Sequence, residues 1–179
     1  MSENSHNLVP KIDESMSVRN EFDEEAFPLN IRLGELRDVP VIQNVVRDAY
    51  EQYVAAEGSK PAPMTADYSS LVEANHAWVA EQAGHVIGLL VLEAENDHLL
   101  LENIAVAPEV RGKGVGHQLL SFAEEQARLL RLPEIRLYTG EVMTQNLHYY
   151  PRHGYHETHR GYEDGHHRVY FCKTIEPKE

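Results

Sequence analysis

Cysteine and long apolar runs are scarce in this chain of 179 residues. Its single cysteine, Cys172, excludes an intramolecular disulfide, and we expect a reducing, cytoplasmic compartment. No apolar run approaches the roughly twenty residues that a transmembrane helix needs, so we expect no membrane association. The N-terminus also lacks the basic start and apolar stretch of a secretory signal. The length instead fits one domain with a sizeable core.

Positive charge is scarce as well, because 16 Lys and Arg residues face 29 Asp and Glu residues and the net charge is −13. Such a surface repels nucleic acid, so we exclude nucleic acid as a partner. It favours a basic substrate instead. Residues 1–27 carry seven acidic and two basic residues and show no sustained periodicity. We therefore predict a mobile acidic tail over residues 1–27 and a single domain over residues 28–179.

What the chain does have is a glycine-rich turn between a predicted strand and a predicted helix. The apolar run Leu99–Val106 predicts a buried strand, which Pro108 ends. A loop and an amphipathic helix follow. Glycines let the backbone come close to an anion, and the first N–H groups of a helix point at it. The sequence therefore predicts a site for a phosphorylated ligand formed by Arg111, Gly112, Lys113, Gly114, Val115 and Gly116.

The spacing of the glycines excludes two common nucleotide loops. The dinucleotide pattern Gly-x-Gly-x-x-Gly fails, because its sixth position is His117 or Leu119 in the two registers available. The four-residue spacing of the ATP-binding loop is absent too. Arg111-x-x-Gly114-x-Gly116 instead resembles the pyrophosphate loop of the Gcn5-related N-acetyltransferase (GNAT) family, which binds acetyl-coenzyme A. The alternative is a turn that is rich in glycine for packing alone.

A second segment, from Asn146 to Tyr155, is similar to the same family's signature of Asn, Tyr and Gly-(Phe/Tyr). The resemblance covers about residues 30 to 175. It implies that Tyr150 is the general acid that protonates the leaving thiolate, and that Asn146 contacts the cofactor arm. It also implies that backbone N–H groups near Ile104 and Val106 polarise the thioester. The alternatives are a core tyrosine and a helix cap.

The order of patterns, β-α-α-β-β-β-α-β-α-β-β, predicts an α/β (α+β) fold. We expect a mixed, mostly antiparallel sheet of about six or seven strands with about four helices. A crossover helix makes the fourth and fifth strands parallel, and the resemblance implies that this pair splays apart to hold coenzyme A. We also expect Asp38 to cap the first helix, Val41 to belong to its apolar stripe, and residues 161–165 to form the last turn. Pro151 is expected to kink or end the last helix.

The general base is the least determined group. By resemblance a Glu on the fourth or fifth strand is expected, acting through water. Glu102 shares a predicted strand face with Ile104 and Val106, and an unpaired carboxylate inside an apolar strand would be costly. Glu141, just after the fifth strand, is the second candidate. A salt bridge to a neighbouring Arg or Lys is the structural alternative for Glu102.

The resemblance implies an N-acetyltransferase with acetyl-CoA as cosubstrate. The acceptor is expected to be the amine of a small molecule or peptide, and a homodimer is compatible with the family. A non-catalytic acyl-CoA-binding regulatory module is the alternative. We predict no metal site, because the spacing of His153, His156 and His159 falls at a helix-to-strand junction and no further ligand completes a zinc set.

Overall fold

The structure, a computed structural model, describes residues 28–177. Within this range the chain forms one sheet of seven strands and five helices, one of them a single turn. The strands are β1 (Asn30–Leu33), β2 (Ala77–Gln82), β3 (His85–Ala94), β4 (Leu99–Val106), β5 (Glu134–Gly140), β6 (His156–Glu163) and β7 (His166–Thr174). The helices are α1 (Val39–Tyr50), α2 (Val54–Glu57), α3 (Tyr68–Glu73), α4 (Val115–Leu129) and α5 (Thr144–Arg152). The predicted tail, residues 1–27, lies outside the described residues.

The strand order is β1-β2-β3-β4-β5-β7-β6, and every neighbouring pair is antiparallel except β4 and β5. Helix α4 connects these two strands, and a crossover helix returns the chain in the same direction. Only Leu99–Ile135 and Leu100–Arg136 pair across the two strands. Beyond these pairs β4 and β5 separate. The mixed sheet with one splayed parallel pair is therefore confirmed.

Helices α1 and α4 both pack on β3 and β4 and bury the largest apolar side chains. Leu119 of α4 is fully buried and comes close to the sheet at Gly88 of β3, where a Cβ atom would lie 3.3 Å from its Cδ1. The same Cβ would lie 3.2 Å from the Cβ of Ala80 on β2. A glycine at position 88 thus lets α4 lie close against the strands that carry the site.

Two expectations about α1 are corrected. Ile42 is fully buried, whereas Val41, which we placed in the apolar stripe, is 38% exposed. The true stripe follows the i, i+3 and i+4 spacing of a helix from Val39 onward. Asp38 does occupy the N-cap position, but its carboxylate makes no capping bond to α1. It accepts a hydrogen bond from the Arg32 guanidinium at 2.8 Å instead, which ties α1 to β1.

The last hairpin also turns later than expected. Its two-residue turn is Asp164-Gly165, with φ values of 52° and 82°, while Gly161 lies inside β6. These left-handed residues match the turn that connects tightly paired strands. Pro151 lies in the final turn of α5, which ends one residue later as expected. None of the helices among residues 28–177 is long and apolar enough to cross a membrane.

Candidate active site

A β-bulge lies at Glu102, at the point where β4 leaves β5. Val91 of β3 pairs with Asn103 and Leu92 pairs with Leu101, so Glu102 is the extra residue of the bulge. Bulges bend a strand and change the direction in which its side chains point. Ile104 and Val106 line a large cavity, whereas Glu102 lines two smaller ones. The burial of β4 nevertheless alternates without a break, so Glu102, Ile104 and Val106 lie on its less buried side, as expected.

The large cavity, which we call the cofactor groove, has a volume of about 540 Å³. It lies between α1, the end of β4, the glycine-rich loop and α5. All of the predicted cofactor-binding residues except Lys113 line it: Ile104, Val106, Arg111, Gly112, Gly114, Val115, Gly116 and Asn146. The catalytic candidate Tyr150 lines it too. A groove of this size suits a cofactor arm with phosphates at one end.

The glycine-rich loop offers fewer backbone donors than its sequence suggests. The N–H groups of Arg111 and Lys113 donate to carbonyl oxygens of the preceding turn, at 3.3 and 3.4 Å. Among the described residues, the N–H groups of Gly114, Val115 and Gly116 form no hydrogen bond with another backbone group. These are the orphan donors at the start of α4, where the helix dipole favours an anion. Gly114 has a φ of 84°, which a residue with a side chain rarely adopts.

Gly116 brings α4 close to α5. A Cβ atom at this position would lie 2.8 Å from the hydroxyl oxygen of Tyr149. The Tyr149 hydroxyl therefore sits beside the start of α4, next to the orphan N–H groups. This location suits a contact near a phosphate rather than near the end of the cofactor arm.

Tyr150, by contrast, is almost fully buried and packs against Tyr155 and Phe171. Burial, and next the neighbouring Tyr149, raise its pKa well above the usual value for tyrosine. The pKa of Tyr50 is raised as well, mainly by burial and next by the nearby phenol of Tyr150. Tyr150 is therefore protonated at neutral pH and lines the cofactor groove.

A hydrogen-bonded chain that was not predicted from the sequence joins β4 to α1 and α3. The Tyr50 hydroxyl donates to Asn103 Oδ1 at 2.7 Å, and Asn103 Nδ2 donates to the Tyr68 hydroxyl at 3.1 Å. Tyr68 in turn donates to the carbonyl oxygen of Pro63 at 2.7 Å. Asn103 is 5% exposed. An amide in the middle of an apolar strand pattern was the available signal, since a buried polar group needs partners.

Glu102 lines two small cavities and not the cofactor groove. Burial, and next the like charge of Glu93, raise the pKa of its carboxyl, while His76 opposes the shift. The expected alternative, a salt bridge to Arg or Lys, is not formed by Glu102 within residues 28–177. The other candidate base, Glu141, is exposed and bonded to Arg160 at 2.8 Å. Both carboxylates belong to exposed residues, and only Glu141 is held in an ion pair.

Three further expectations can be compared with the structure. Asn146 is not the cap of α5, since Met143 occupies that position. Its Nδ2 donates to Thr139 Oγ1 at 2.9 Å, which joins α5 to β5. Cys172 is buried and its thiol donates to Glu134 Oε2 at 3.2 Å. In the part of the chain that the structure describes, no group of His, Cys, Asp and Glu is arranged to hold a metal ion.

Comparison with known proteins agrees with this geometry. Residues 73–157 match the acetyltransferase (GNAT) domain family. The chain is 30% identical over 129 residues to the uncharacterized N-acetyltransferase YjgM of Escherichia coli strain K12. The aligned residues cover 67% of this chain and 77% of that protein.

Solved structures extend the similarity. Nourseothricin acetyltransferase is 29% identical over 56% of this chain and 65% of its own, slightly less than two thirds, with a TM-score of 0.53. The ribosomal-protein-S18-alanine N-acetyltransferase from Escherichia coli shares the fold at 17% identity, covering 84% of this chain and 96% of its own, with a TM-score of 0.67. The PaiA N-acetyltransferase from Thermoplasma acidophilum, solved in complex with coenzyme A, is 18% identical over 82% of this chain and 98% of its own, with a TM-score of 0.63. The chain therefore belongs to the GNAT family of acetyltransferases and is an acyltransferase.

Proposed function

We propose that this protein transfers an acetyl group from acetyl-CoA to the primary amine of a small molecule or peptide by direct attack on the thioester. The observation that carries the proposal is the separation of β4 and β5 after Leu100 and Arg136. Tyr150 lines the cofactor groove, Glu102 of β4 and Tyr138 of β5 line a neighbouring cavity, and Tyr50 lines both. An acid and a base thus flank the place where two substrates would meet.

The start of α4 is proposed to hold the pyrophosphate of acetyl-CoA. Its orphan N–H groups at Gly114, Val115 and Gly116 are preorganised donors, and Arg111 lines the groove beside them. Lys113 does not line the groove, so we assign it a minor part in binding. Asn146 and the backbone at Ile104 and Val106 are proposed to contact the cofactor arm and the thioester.

The chemistry needs one proton removed and one supplied. Glu102 accepts a proton from the ammonium group of the acceptor, which leaves a neutral amine. The amine nitrogen then forms a bond with the carbonyl carbon of the thioester and loses its second proton to solvent water, and the carbon–sulfur bond breaks. Tyr150 gives its phenolic proton to the departing thiolate. The products are an acetamide and free coenzyme A, and both side chains exchange protons with solvent before the next turnover.

The proposal names the acceptor only as a primary amine. The named relatives act on nourseothricin and on a ribosomal-protein alanine, so family membership alone does not choose between a small molecule and a peptide. A cytoplasmic location and a homodimer both stay predictions. Fractionation of cells tests the first, and light scattering on the purified protein tests the second.

A thermal-shift titration with acetyl-CoA tests the cofactor site. The double variant Arg111→Ala/Gly114→Val removes a groove cation and forces a side chain onto a left-handed residue, so we expect the rise in Tm to vanish. The matched control, Arg37→Ala/Gly165→Val, makes the same two changes away from the groove, since Gly165 also has a positive φ. An equal rise in both variants would contradict the assigned site. Stabilisation by acetyl-CoA without turnover of any amine would favour a regulatory module.

A further inference from the structure

Glu57 carries a nearly buried carboxylate that the proposed reaction does not use. It is the last residue of α2, and its side chain is only 7% exposed. Its Oε2 pairs with Nδ1 of His166, the first residue of β7. Burying a carboxylate is costly unless a partner offsets its charge. The fold therefore holds this carboxylate and this imidazole together away from bulk water.

Gly140, the last residue of β5, makes room for the Glu57 carboxylate. A Cβ atom at position 140 would overlap Glu57 Oε1. The φ of Gly140 does not lie in the left-handed region, so its backbone conformation does not require glycine. The close approach of Glu57 accounts for the glycine instead. The end of β5 thus admits the pair beside the strands that separate.

The pair lies where the proposed acceptor would meet the thioester. Glu57 and His166 line the same cavity as Glu102 of β4 and Tyr138 of β5, and we call it the side cavity. Tyr50 lines both the side cavity and the cofactor groove. The side cavity opens to solvent and the His166 side chain is 16% exposed, so water can reach the ring.

The contact with Glu57 decides which ring nitrogen of His166 accepts a proton. A carboxylate accepts hydrogen bonds, so the neutral ring carries its proton on Nδ1. Nε2 then keeps its lone pair, and it has no hydrogen-bond partner within residues 28–177. A carboxylate that holds an imidazole in its accepting tautomer is the arrangement of a general base.

The charges around the ring are compatible with this role. Arg168 follows two residues later on β7 and lines the side cavity as well. Its guanidinium is already paired with Glu163 and Asp164, at 3.0 Å each. An imidazolium formed at His166 would therefore face a paired guanidinium on one side and the Glu57 carboxylate in direct contact on the other.

We propose that His166 accepts the second proton of the acceptor nitrogen through a water molecule, and that Glu57 is the residue that positions it. The proposal rests on the proposed transfer to an amine, in which Glu102 removes the first proton. Once the nitrogen has bonded to the thioester carbon, its N–H bond breaks and the proton passes to the water. The water gives a proton to Nε2, and the imidazolium later releases it to solvent.

His166→Asn separates this role from support of the loop after α2. The asparagine amide donates to Glu57 from the place of Nδ1, but no atom replaces Nε2. Release of coenzyme A is measured on the full chain, with the best of n-butylamine, 1,4-diaminobutane and glycinamide as acceptor. We expect kcat to fall about a hundredfold or more, as general-base catalysis contributes, while the KM for the amine stays within about threefold of the parent value.

His167→Asn is the matched control, because His167 is exposed and does not line the side cavity. An unchanged kcat in His166→Asn, or a loss confined to the KM for the amine, would overturn the proposal and leave the proposed function standing. A parent protein that releases coenzyme A with none of the three amines would contradict the proposed function, and this proposal with it.

Nitrogen-15 NMR of the histidine rings tests the geometry without turnover. We expect the neutral ring of His166 to carry its proton on Nδ1, with the signal assigned by its loss in His166→Asn. Glu57→Gln offers an N–H donor as well as an oxygen, so the Nε2–H tautomer should appear in that variant. Glu51→Gln, at an exposed position outside the side cavity, should leave the tautomer unchanged. A parent ring protonated on Nε2 would overturn the proposal even if acetyl transfer occurs.

Discussion

At the scale of single residues, the two adjacent tyrosines of α5 have different surroundings. Tyr150 is buried near Tyr50 at the gap, while the hydroxyl of Tyr149 lies beside Gly116 at the start of α4. The distance along the chain from Gly154 was enough to predict which tyrosine is the acid candidate. The surroundings that keep its proton in place, Tyr155 and Phe171, belong to other elements and could not be predicted from that spacing.

Tyr150→Phe keeps the ring and its packing but removes the proton donor. General acid catalysis typically contributes about a hundredfold to ten-thousandfold, so we expect kcat to fall by that factor. The KM and Kd for acetyl-CoA should change little, because the phenyl ring still fills the same space. Steady-state kinetics and calorimetry measure the two effects.

Tyr149→Phe is the matched control, and its kcat should stay within about threefold of the parent value, outside the general-acid range. If Tyr150→Phe behaves the same way, the thiolate takes its proton from water or another donor.

The surroundings of Glu102 predict that a second carboxylate, that of Glu93, influences the pH dependence of kcat/KM. A base must be ionised to accept a proton, so kcat/KM falls as the pH drops through the pKa of Glu102. Glu93 helps to raise that pKa. Glu93→Gln removes the like charge and lowers the pKa, so the acid limb of the pH–rate profile should move to lower pH while the plateau stays similar.

Two further variants are compared with Glu93→Gln: one removes the proposed base and the other is a control. Glu102→Gln should lower the rate most between the pKa of Glu102 and that of the amine, where the parent base is ionised and neutral amine is still scarce, and Glu95→Gln should leave the limb in place. If Glu93→Gln leaves the limb where it was, Glu102 does not set it. The strand pattern identified Glu102 as a candidate, but Glu93 and His76 come from β3 and the segment before β2, and no local pattern joins them to it.

At the scale of elements, Asn103 connects β4 to α1 and α3 through Tyr50 and Tyr68. Asn103→Leu has a similar volume but leaves two buried hydroxyl groups without this partner. A buried polar group left without its hydrogen bond costs about 1–3 kcal/mol. We expect a loss of unfolding free energy of about that size, measured by urea titration. Asn44→Leu, at an exposed position of α1, should cost much less, and equal losses would contradict the role of the network.

The same elements show why some local predictions failed. The spacing of Val41, Val45 and Ala49 suggested Val41 as a core residue, but the buried side of α1 consists of Val39, Ile42, Val45 and Val46. Packing of α1 against β3 and β4, which no local spacing reveals, places Ile42 in the core. In the last hairpin, two glycines were available to mark the turn. Only the register of β6 on β7 decides that Asp164-Gly165 forms it.

At the scale of the whole molecule, the order of strands and helices was readable because each element is long and strongly patterned. The crossover between β4 and β5 followed from the length of the connecting helix. The bulge at Glu102 was not readable, because it depends on the register between β3 and β4. Nor did the strand pattern show that Glu102 lines other cavities than the predicted cofactor contacts do.

The excess of negative charge over the whole chain predicts opposite salt effects for its two substrates. A net charge of −13 attracts cationic acceptors and repels the phosphates of acetyl-CoA. Raising the salt concentration from about 0.01 to 0.15 M shortens the screening length from about 30 to 8 Å. The KM for 1,4-diaminobutane should therefore rise with salt, while the KM for acetyl-CoA should fall or stay level. 4-Aminobutanoate is the matched control, since it has the same chain length but no net charge, and its KM should respond less. Parallel responses of both amines would show that the acidic surface does not steer the acceptor.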